Sequence, residues 1–394
     1  MNKLTFTPTS YTGWGCLQQL LVEVNKFQAN NILIVTDPFL KDLGLVEQVN
    51  KPLQDNGYQT TIYTDIAPEP PLAIGERLVD YTRKHQFDLV IGLGGGSALD
   101  LAKLAAVLAT HEGQVADYLN LTGTKALENK GLPKILIPTT SGTGSEVTNI
   151  SVLSLETTKD VVTHDYLLAD VAIVDPELTI SLPSKVTAAT GVDALTHAIE
   201  AYVSINANEV TDGLALQAIR LISNSIRTAV HDGKNKQARS DMSYGSYLAG
   251  LAFFNAGVAG VHALAYPLGG QYHIAHGDSN AVLLPYVMGY IRKSCEKRMK
   301  DILDAMGISS MYLSQEEASY KCVDALQELV NDVNIPSTLK GFNIPESALE
   351  QLTDDATKQT RILARSPMAL NRDDIFAIYR AAFDGQIREP HWPL

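Results

Sequence analysis

A series of short apolar runs in the first half of the chain constrains the fold most strongly. The runs are NILIVTD (31–37), QTTIYTD (59–65), DLVIGLGGG (88–96), PKILIPTT (133–140) and VAIVDPEL (171–178). Several of them are apolar at consecutive positions, which is typical of strands covered by helices on both faces. Helix-compatible stretches separate the runs, so this half is predicted to form an α/β layer with a largely parallel sheet.

The pattern changes after LPSKV (182–186). Long helix-compatible stretches follow, among them SKVTAATGVDALTHAIEAYV and VTDGLALQAIRLISNSIRTAV. A chain of 394 residues is also longer than one ordinary core requires. We therefore expect two domains, an α/β domain over residues 1–182 and an all-α domain over residues 183–394.

Composition and charge narrow the functional classes. Hydrophobic residues make up 45% and charged residues 19% of the chain, as in globular enzymes. The net charge of -13 disfavours a nucleic-acid partner. No apolar run reaches the length of a membrane span, and the start MNKLTFTPTSYTGWG lacks the apolar core of a signal peptide. Cys16, Cys295 and Cys322 show no CxxC spacing, so we expect reduced thiols and a cytoplasmic protein.

A glycine-rich turn lies between a predicted strand and a predicted helix in DLVIGLGGGSALDLAKLAAVLA. Gly94, Gly95 and Gly96 would let the backbone approach a pyrophosphate, and Ser97 and the first helical amides could donate hydrogen bonds to it. The turn is not the GxGxxG fingerprint. On its own it fits a strand-to-helix turn without a ligand equally well.

A second turn, PTTSGTGSEVT (138–148), follows another predicted strand and favours the nucleotide interpretation. Two such turns at strand carboxyl ends form a crevice of the kind that open α/β sheets use for ligands. Asp37 ends the first apolar run, where a carboxylate could bind an adenosine ribose and would repel a 2′-phosphate. The alternative for Asp37 is a helix N-cap before Pro38.

Histidines and one carboxylate in the second half suggest a metal site. Asp193 and His197 are four residues apart on a predicted helix, so they project from one face. GVHALAYPLGGQYHIAHGDSNA adds His262, His273 and His276 in an apolar, glycine-rich segment. One carboxylate with several imidazoles suits Fe(II), Zn(II) or a similar divalent ion. Spacing alone does not decide between His273 and His276, and a helix-surface pair or a buried core histidine remains the alternative for Asp193 and His197.

With these motifs in place, the chain resembles the iron-containing (group III) alcohol dehydrogenase family, which includes lactaldehyde reductase and propanediol dehydrogenase. The likeness covers nearly the whole chain, through LIVTD, GGGSALDLAK, PTTSGTGSE, VDPEL, GVDALTHAIEAYVS, HALAYPLGGQYHIAHG and RDDIFAIYRAAF. It implies a dehydroquinate synthase-like architecture: a Rossmann-like dinucleotide-binding α/β domain, an all-α metal-binding domain and an active site in the cleft between them. It also implies a homodimer.

The resemblance assigns residues to both ligands. It implies metal ligands at Asp193, His197, His262 and His276. It implies NAD(H) contacts at Asp37, Gly95, Gly96, Ser97, Thr139, Thr140, Thr143, Thr148 and Lys159.

Three positions depart from the family's usual pattern. Tyr266 stands where a histidine is often found, Ala169 where proline is common, and Glu69 where a turn often carries asparagine. A phenol is poorly matched to proton transfer near neutrality, so we expect Tyr266 to line the site and His273, a ribose hydroxyl or water to relay protons. Packing between helices is the alternative for Tyr266.

Candidate walls of the substrate pocket are Asn149, Phe253 and Phe254, each of which could instead be a core residue.

Together these features predict a metal-dependent, NAD(H)-linked dehydrogenase of a small alcohol or aldehyde. A zinc polyol dehydrogenase of the glycerol type is the nearest rival. A dehydroquinate-synthase-like lyase is disfavoured because Asp193 occupies a ligand position that is glutamate in such enzymes. A nucleotide-binding module without catalysis is disfavoured because all the ligand residues are present.

Overall fold

The computed structural model describes residues 3–155 and 159–388. The chain divides into two compact units. Within the described residues, one unit is Thr5–Ile180, and the other runs from Ser181 to Arg388 and includes Lys3 and Leu4.

The first unit contains a parallel sheet and a separate hairpin. The strands are β1 (Thr9–Thr12), β2 (Asn31–Val35), β3 (Gln59–Tyr63), β4 (Leu89–Gly94), β5 (Lys134–Pro138), β6 (Ile150–Ser154), β7 (Lys159–Thr163) and β8 (Val171–Val174). Within the described residues, six strands pair in the order β1-β8-β5-β4-β2-β3, all parallel. β6 and β7 form an antiparallel pair. The predicted parallel sheet is therefore confirmed.

The sheet is buried on both faces, which explains the continuous apolar runs. Leu33, Val90 and Leu136 belong to one hydrophobic cluster, whereas Ile34 and Ile91 belong to another. Alternate side chains of a strand point to opposite faces, so a strand covered on both sides must be apolar throughout.

Five helices of the first unit cover these faces in the part of the chain described. They are α1 (Leu20–Lys26), α2 (Pro38–Asp42), α3 (Leu45–Asp55), α4 (Leu72–His85) and α5 (Gly96–Leu108). The apolar residues of α2 and α3 join the cluster of Ile34, whereas those of α4 and α5 join the cluster of Leu33. β2 and β4 are neighbours in the sheet, and the helices that follow them pack on opposite faces. The carboxyl ends of β2 and β4 thus form the switch point where open α/β sheets bind ligands.

The second unit is helical, as predicted. Its helices are α6 (Ser184–Val203), α7 (Glu209–His231), α8 (Lys236–Ala256), α9 (Gly260–Tyr272), α10 (His276–Ile291), α11 (Glu296–Ala305), α12 (Gln315–Asp332), α13 (Leu349–Thr357), α14 (Thr360–Leu363) and α15 (Arg372–Asp384). Nearly all of α6 is buried, including the polar residues Asp193, His197 and Glu200. Burial of such groups is costly unless they are paired or bind a ligand.

The apolar helices of this unit differ from membrane spans in length or in straightness. Within residues 3–155 and 159–388, no single helix is long and apolar enough to cross a membrane. α8 and α9 meet that criterion only as a pair, and the pair is bent by 105°.

Candidate metal centre and dinucleotide site

Four side chains of the helical unit converge on one point. Asp193 and His197 lie one turn apart on α6, and His262 and His276 come from the first turns of α9 and α10. Asp193 Oδ1 lies 3.9 Å from Nε2 of His197 and 3.7 Å from Nε2 of both His262 and His276. All four potential ligand atoms lie within 4.8 Å of one another.

The structure separates the two histidines that spacing left unresolved. His276 begins α10 and faces Asp193, whereas His273 lies outside this cluster. His273 is the C-cap of α9, with a left-handed φ of 53°, and its side chain is exposed. The segment between the two residues thus turns the chain so that His276 faces inward.

The geometry and chemistry of the cluster fit a divalent ion. Metal–ligand bonds of about 2.0–2.2 Å place neighbouring ligand atoms roughly 3–4 Å apart, which is the range of the distances from Asp193. One carboxylate oxygen and three imidazole nitrogens form a hard-to-borderline donor set that suits Fe(II) or Zn(II). Asp193, His197 and His262 are each no more than 5% exposed, so water competes little for their ligand atoms.

The close approach of one carboxylate and three imidazoles changes the pKa values of Asp193 and His262. Burial alone would raise the pKa of Asp193, but His197, His276 and His262 hold it well below its usual range. Burial alone would lower the pKa of His262, but hydrogen bonds to Asp193 and Glu200 raise it to about 9. Without an ion, the cluster therefore retains a proton that a metal must displace.

Glu200 is a buried carboxylate beside the cluster that the sequence analysis did not select. Its Oε2 accepts a 2.6 Å hydrogen bond from Nδ1 of His262, and its Oε1 accepts a 2.6 Å bond from the backbone N–H of Val261. Glu200 is 1% exposed. Glu200 lies on α6 three residues after His197, and therefore on nearly the same face of the helix. This spacing was the one feature of the sequence that could have pointed to Glu200.

Asn280 is a second residue that the sequence analysis missed. It lies one turn after His276 on α10, and its Nδ2 donates a 2.7 Å hydrogen bond to Oδ1 of Asp193. The same nitrogen lies 3.2 Å from Nε2 of both His262 and His276. Its Oδ1 is buried without a hydrogen-bond partner in the part of the chain that the structure describes. The amide therefore interacts directly with the ligand atoms.

One aromatic ring lies beside the imidazole of His197 and another beside that of His276. Phe253 stacks on His197 with a centroid distance of 4.2 Å and an interplanar angle of 18°. The ring of Tyr266, which α9 carries one turn after His262, lies 6.0 Å from that of His276. Phe254 is partly buried near the end of α8. Phe253 and Tyr266 thus limit the space beside the cluster.

Asp37 and the first glycine-rich turn lie at the switch point of the sheet in the first unit. Asp37 follows β2 and caps α2, its Oδ1 accepting a 2.9 Å hydrogen bond from the N–H of Leu40. Its Oδ2 lies 3.6 Å from the position of a Cβ on Gly94, at the end of β4. The N-cap interpretation of Asp37 is therefore correct, and one carboxylate oxygen still faces the glycine-rich turn.

The two glycine-rich turns pack directly against each other. A Cβ on Gly96 would lie 2.7 Å from Cγ2 of Thr143, closer than real Cβ contacts. A Cβ on Gly95 would lie 3.5 Å from Cγ2 of Thr140. The N–H of Thr139 bonds the carbonyl of Gly94 at 3.0 Å. Glycine is required at position 96 by this close approach.

A buried lysine ties the second turn to α5. The Lys103 ammonium is fully buried and lies 2.9 Å from Oδ1 of Asp100. It donates to the carbonyls of Ser145 at 3.0 Å and Ile150 at 2.5 Å, and to Oγ1 of Thr148 at 3.3 Å. Burial, partly offset by Asp100, lowers the pKa of Lys103. The Thr148 hydroxyl is therefore part of an internal network as well as a predicted cofactor contact.

Ser97 and Lys159 are joined through Glu69. Ser97 Oγ accepts a 3.1 Å hydrogen bond from the backbone N–H of Glu69. The Lys159 ammonium lies 3.0 Å from Oε2 of Glu69, and its side chain is only 8% exposed. Asn149 donates a 3.1 Å hydrogen bond to Oδ1 of Asp165. Lys159, which would look like an ordinary exposed lysine from the sequence, is thus held in a partly buried ion pair.

Both units match models of one protein family. The model described as iron-containing alcohol dehydrogenase matches residues 7–176. The model of the C-terminal part of the Fe-containing alcohol dehydrogenase family matches residues 187–383.

Known proteins match over almost the whole chain. Long-chain-alcohol dehydrogenase 1 of Geobacillus thermodenitrificans is 70% identical over 389 residues, covering 99% of this chain and 98% of that protein. The crystal structure of 1,3-propanediol oxidoreductase superposes with a TM-score of 0.93 at 37% identity, covering 97% and 100% of the two chains. Sulfoacetaldehyde reductase from Bifidobacterium kashiwanohense, solved in complex with NAD+, superposes with a TM-score of 0.88 at 29% identity, covering 97% and 98%.

Proposed function

This chain belongs to the iron-containing alcohol dehydrogenase family, and from that premise we propose that Asp193, His197, His262 and His276 hold its catalytic divalent ion. The supporting observation is the convergence of their four ligand atoms within 4.8 Å. The enzyme is a metal-dependent alcohol dehydrogenase that transfers a hydride between an alcohol or aldehyde and NAD(H).

Hydride transfer needs the divalent ion, NAD(H) and side chains that hold them in place. A divalent ion held here would supply Lewis acidity that stabilises negative charge on the alcohol oxygen, and nicotinamide would carry the hydride. Asp193 and the three imidazoles would hold the ion, because their ligand atoms converge on one point. Phe253 stacks on His197 and excludes water from that face of the imidazole.

Proton transfer is assigned to groups other than Tyr266. A phenol has an ordinary pKa of about 10, which is poorly matched to proton transfer near neutral pH. His273 is exposed at the end of α9 and can exchange protons with solvent. We therefore propose that the ring of Tyr266 lines the site and that His273, a ribose hydroxyl of the cofactor or a water takes the alcohol proton.

Cofactor binding is assigned to the first unit. We propose that residues 1–182 form the dinucleotide-binding domain and residues 183–394 the metal-binding catalytic domain. The contacts proposed for NAD(H) lie on the two turns, on Asp37 and on Lys159. Their support is the switch-point position of Asp37 and the close packing of Gly96 on Thr143.

Substrate, assembly and location form a further proposal. The relative with 70% identity acts on long-chain alcohols by its name, so a primary alkanol is the first substrate to test beside short alcohols and diols. Asn149, Phe253 and Phe254 are proposed pocket walls.

We also propose that the protein is a homodimer, as the family resemblance implies. We further propose that it is located in the cytoplasm, where Cys16, Cys295 and Cys322 would stay free thiols.

The function is tested by reconstituting metal-free enzyme with Fe(II) or Zn(II). NAD+ reduction is then followed with a panel of primary alkanols from short to long and with short diols. We expect activity that depends on added metal and on NAD+. Metal-independent turnover would contradict the proposal. A strong preference for glycerol-type polyols with Zn(II) would support the rival polyol dehydrogenase.

A further inference from the structure

We propose that Glu200 is a positioning residue of the metal site, which holds His262 with its Nε2 facing Asp193. This inference rests on the proposed metal site. It concerns a side chain that lies outside the proposed ligand set and supports one ligand through a direct hydrogen bond.

The two oxygens of Glu200 have separate tasks. Oε2 accepts from Nδ1 of His262 at 2.6 Å, and Oε1 accepts from the N–H of Val261 at 2.6 Å. Glu200 comes from α6, and both donors come from the first turn of α9. The carboxylate therefore fixes both the ring of His262 and the backbone that carries it.

The hydrogen bond at Nδ1 determines what Nε2 can do. A neutral imidazole carries one N–H, so donation from Nδ1 leaves a lone pair on Nε2. That Nε2 lies 3.7 Å from Oδ1 of Asp193, among the proposed ligand atoms. Carboxylates that accept from a ligating histidine fix its tautomer and orientation and increase its basicity as a ligand.

Burial means that only Glu200 can accept the hydrogen bond from Nδ1 of His262. Glu200 is 1% exposed and His262 is 2% exposed, so no bulk water can replace the carboxylate as an acceptor. Together with Asp193, Glu200 supplies two carboxylates near one site, which matches the charge of a divalent ion. Stabilisation of a buried charge by an opposite charge is large where water is excluded.

A simpler role must be distinguished from this one. The N-cap of α9 is Ala259, whose side chain has no acceptor, so Glu200 also satisfies an amide at the start of that helix. A residue that only caps α9 would affect the stability of the fold. A residue that orients His262 affects metal affinity in protein that remains folded.

The test uses Glu200→Gln in the full-length protein. Glutamine keeps the shape of the side chain, but its amide offers one acceptor oxygen where two N–H groups need acceptors. The matched control is Tyr202→Phe, which removes a 2.7 Å hydrogen bond to Asp301 from the same helix. Metal-free protein is titrated with Zn(II) in competition with a chromophoric chelator, and Co(II) absorption spectra report the ligand geometry.

We expect Glu200→Gln to weaken Zn(II) binding by about 10–100-fold and to change the Co(II) spectrum. Tyr202→Phe should bind both ions as the wild type does. A lower melting temperature of the metal-free Glu200→Gln protein with unchanged Zn(II) affinity would show that Glu200 only caps α9, and the proposal would be overturned.

Two further outcomes are interpretable. If Glu200→Gln does not fold, Glu200→Asp keeps both acceptors but shortens their reach by one methylene, and it should still weaken Zn(II) binding. Wild-type affinity in that variant would overturn the proposal. If wild-type protein itself binds no Zn(II) or Co(II), the proposed metal site is wrong and Glu200 has no ligand to position.

Discussion

Gly96 and Thr143 approach so closely that a Cβ on the glycine would lie 2.7 Å from Cγ2 of the threonine. The first residue of α5 is thereby packed against the second glycine-rich turn, at the edge of the sheet where β4 and β5 end. The two predicted phosphate-binding turns are thus one structural unit, and a side chain at position 96 must separate them.

Gly96→Ala should therefore weaken NADH binding by on the order of tenfold, or about 1.4 kcal/mol, because the turns can no longer close on the pyrophosphate. The measurement is NADH fluorescence titration. Metal content should not change. Gly213→Ala on α7 is the control, since no described atom outside its own stretch of helix lies within 4 Å of its Cβ position. Equal NADH affinity in Gly96→Ala and wild type would exclude this role for the turn.

Asp37 should select NAD(H) over NADP(H). One oxygen caps α2, so Asp37→Asn retains a good N-cap while removing the charge that repels a 2′-phosphate. We expect its NADPH-to-NADH ratio of kcat/KM to rise by about tenfold with little loss of stability. Asp37→Gly should show a similar change and lose a few tenths of a kcal/mol. A wild-type preference for NADPH would refute this assignment.

Tyr266 should shape the substrate pocket without acting as an acid or base. Tyr266→Phe keeps the ring that lies 6.0 Å from His276, so most of kcat should remain while KM changes among alcohols. Loss of turnover in Tyr266→Phe with metal still bound would identify the phenol as a proton donor instead.

His273 is tested separately. Asparagine tolerates the left-handed conformation found at this position, so His273→Asn removes the imidazole with little backbone strain. If His273 relays the proton, the pH profile of kcat/KM should shift in this variant. An unchanged profile would assign the proton to water or to a ribose hydroxyl.

The sequence predicted the parts of the fold and site that depend on local patterns. The apolar runs at β2, β4 and β5 and the i, i+4 pair of Asp193 and His197 are examples. β1 is a four-residue edge strand of TSYT, and its short, polar sequence gave no comparable signal.

The residues that the sequence missed depend on contacts between distant segments. Glu200 meets His262 across 62 positions, and Asn280 meets Asp193 across 87. Neither separation is visible in a periodicity. The choice between His273 and His276 depended on the turn after α9, which spacing does not specify.

Metal binding should depend on pH through His262. Its pKa is raised to about 9 in the metal-free protein, chiefly by hydrogen bonds to Asp193 and Glu200 that outweigh burial. Binding must displace this proton, so Zn(II) affinity should rise about tenfold per pH unit from about pH 7 toward 9. Because the folded pKa lies above the ordinary value of about 6.5, the metal-free fold should lose stability over the same window.

Calorimetry in two buffers of different ionisation enthalpy measures this proton directly. Near neutral pH, we expect about one proton released for each Zn(II) bound. Zn(II) affinity that does not vary between about pH 7 and 8.5, with no proton release, would contradict the raised pKa of His262.

The central claim is that one ion, held by Asp193, His197, His262 and His276, is required for turnover. Its most direct test is the metal content of His262→Ala, measured by elemental analysis beside NADH affinity and alcohol oxidation. We predict loss of metal and of turnover together, with NADH binding retained because the predicted cofactor residues lie in the first unit. A full complement of metal in His262→Ala would contradict the claim.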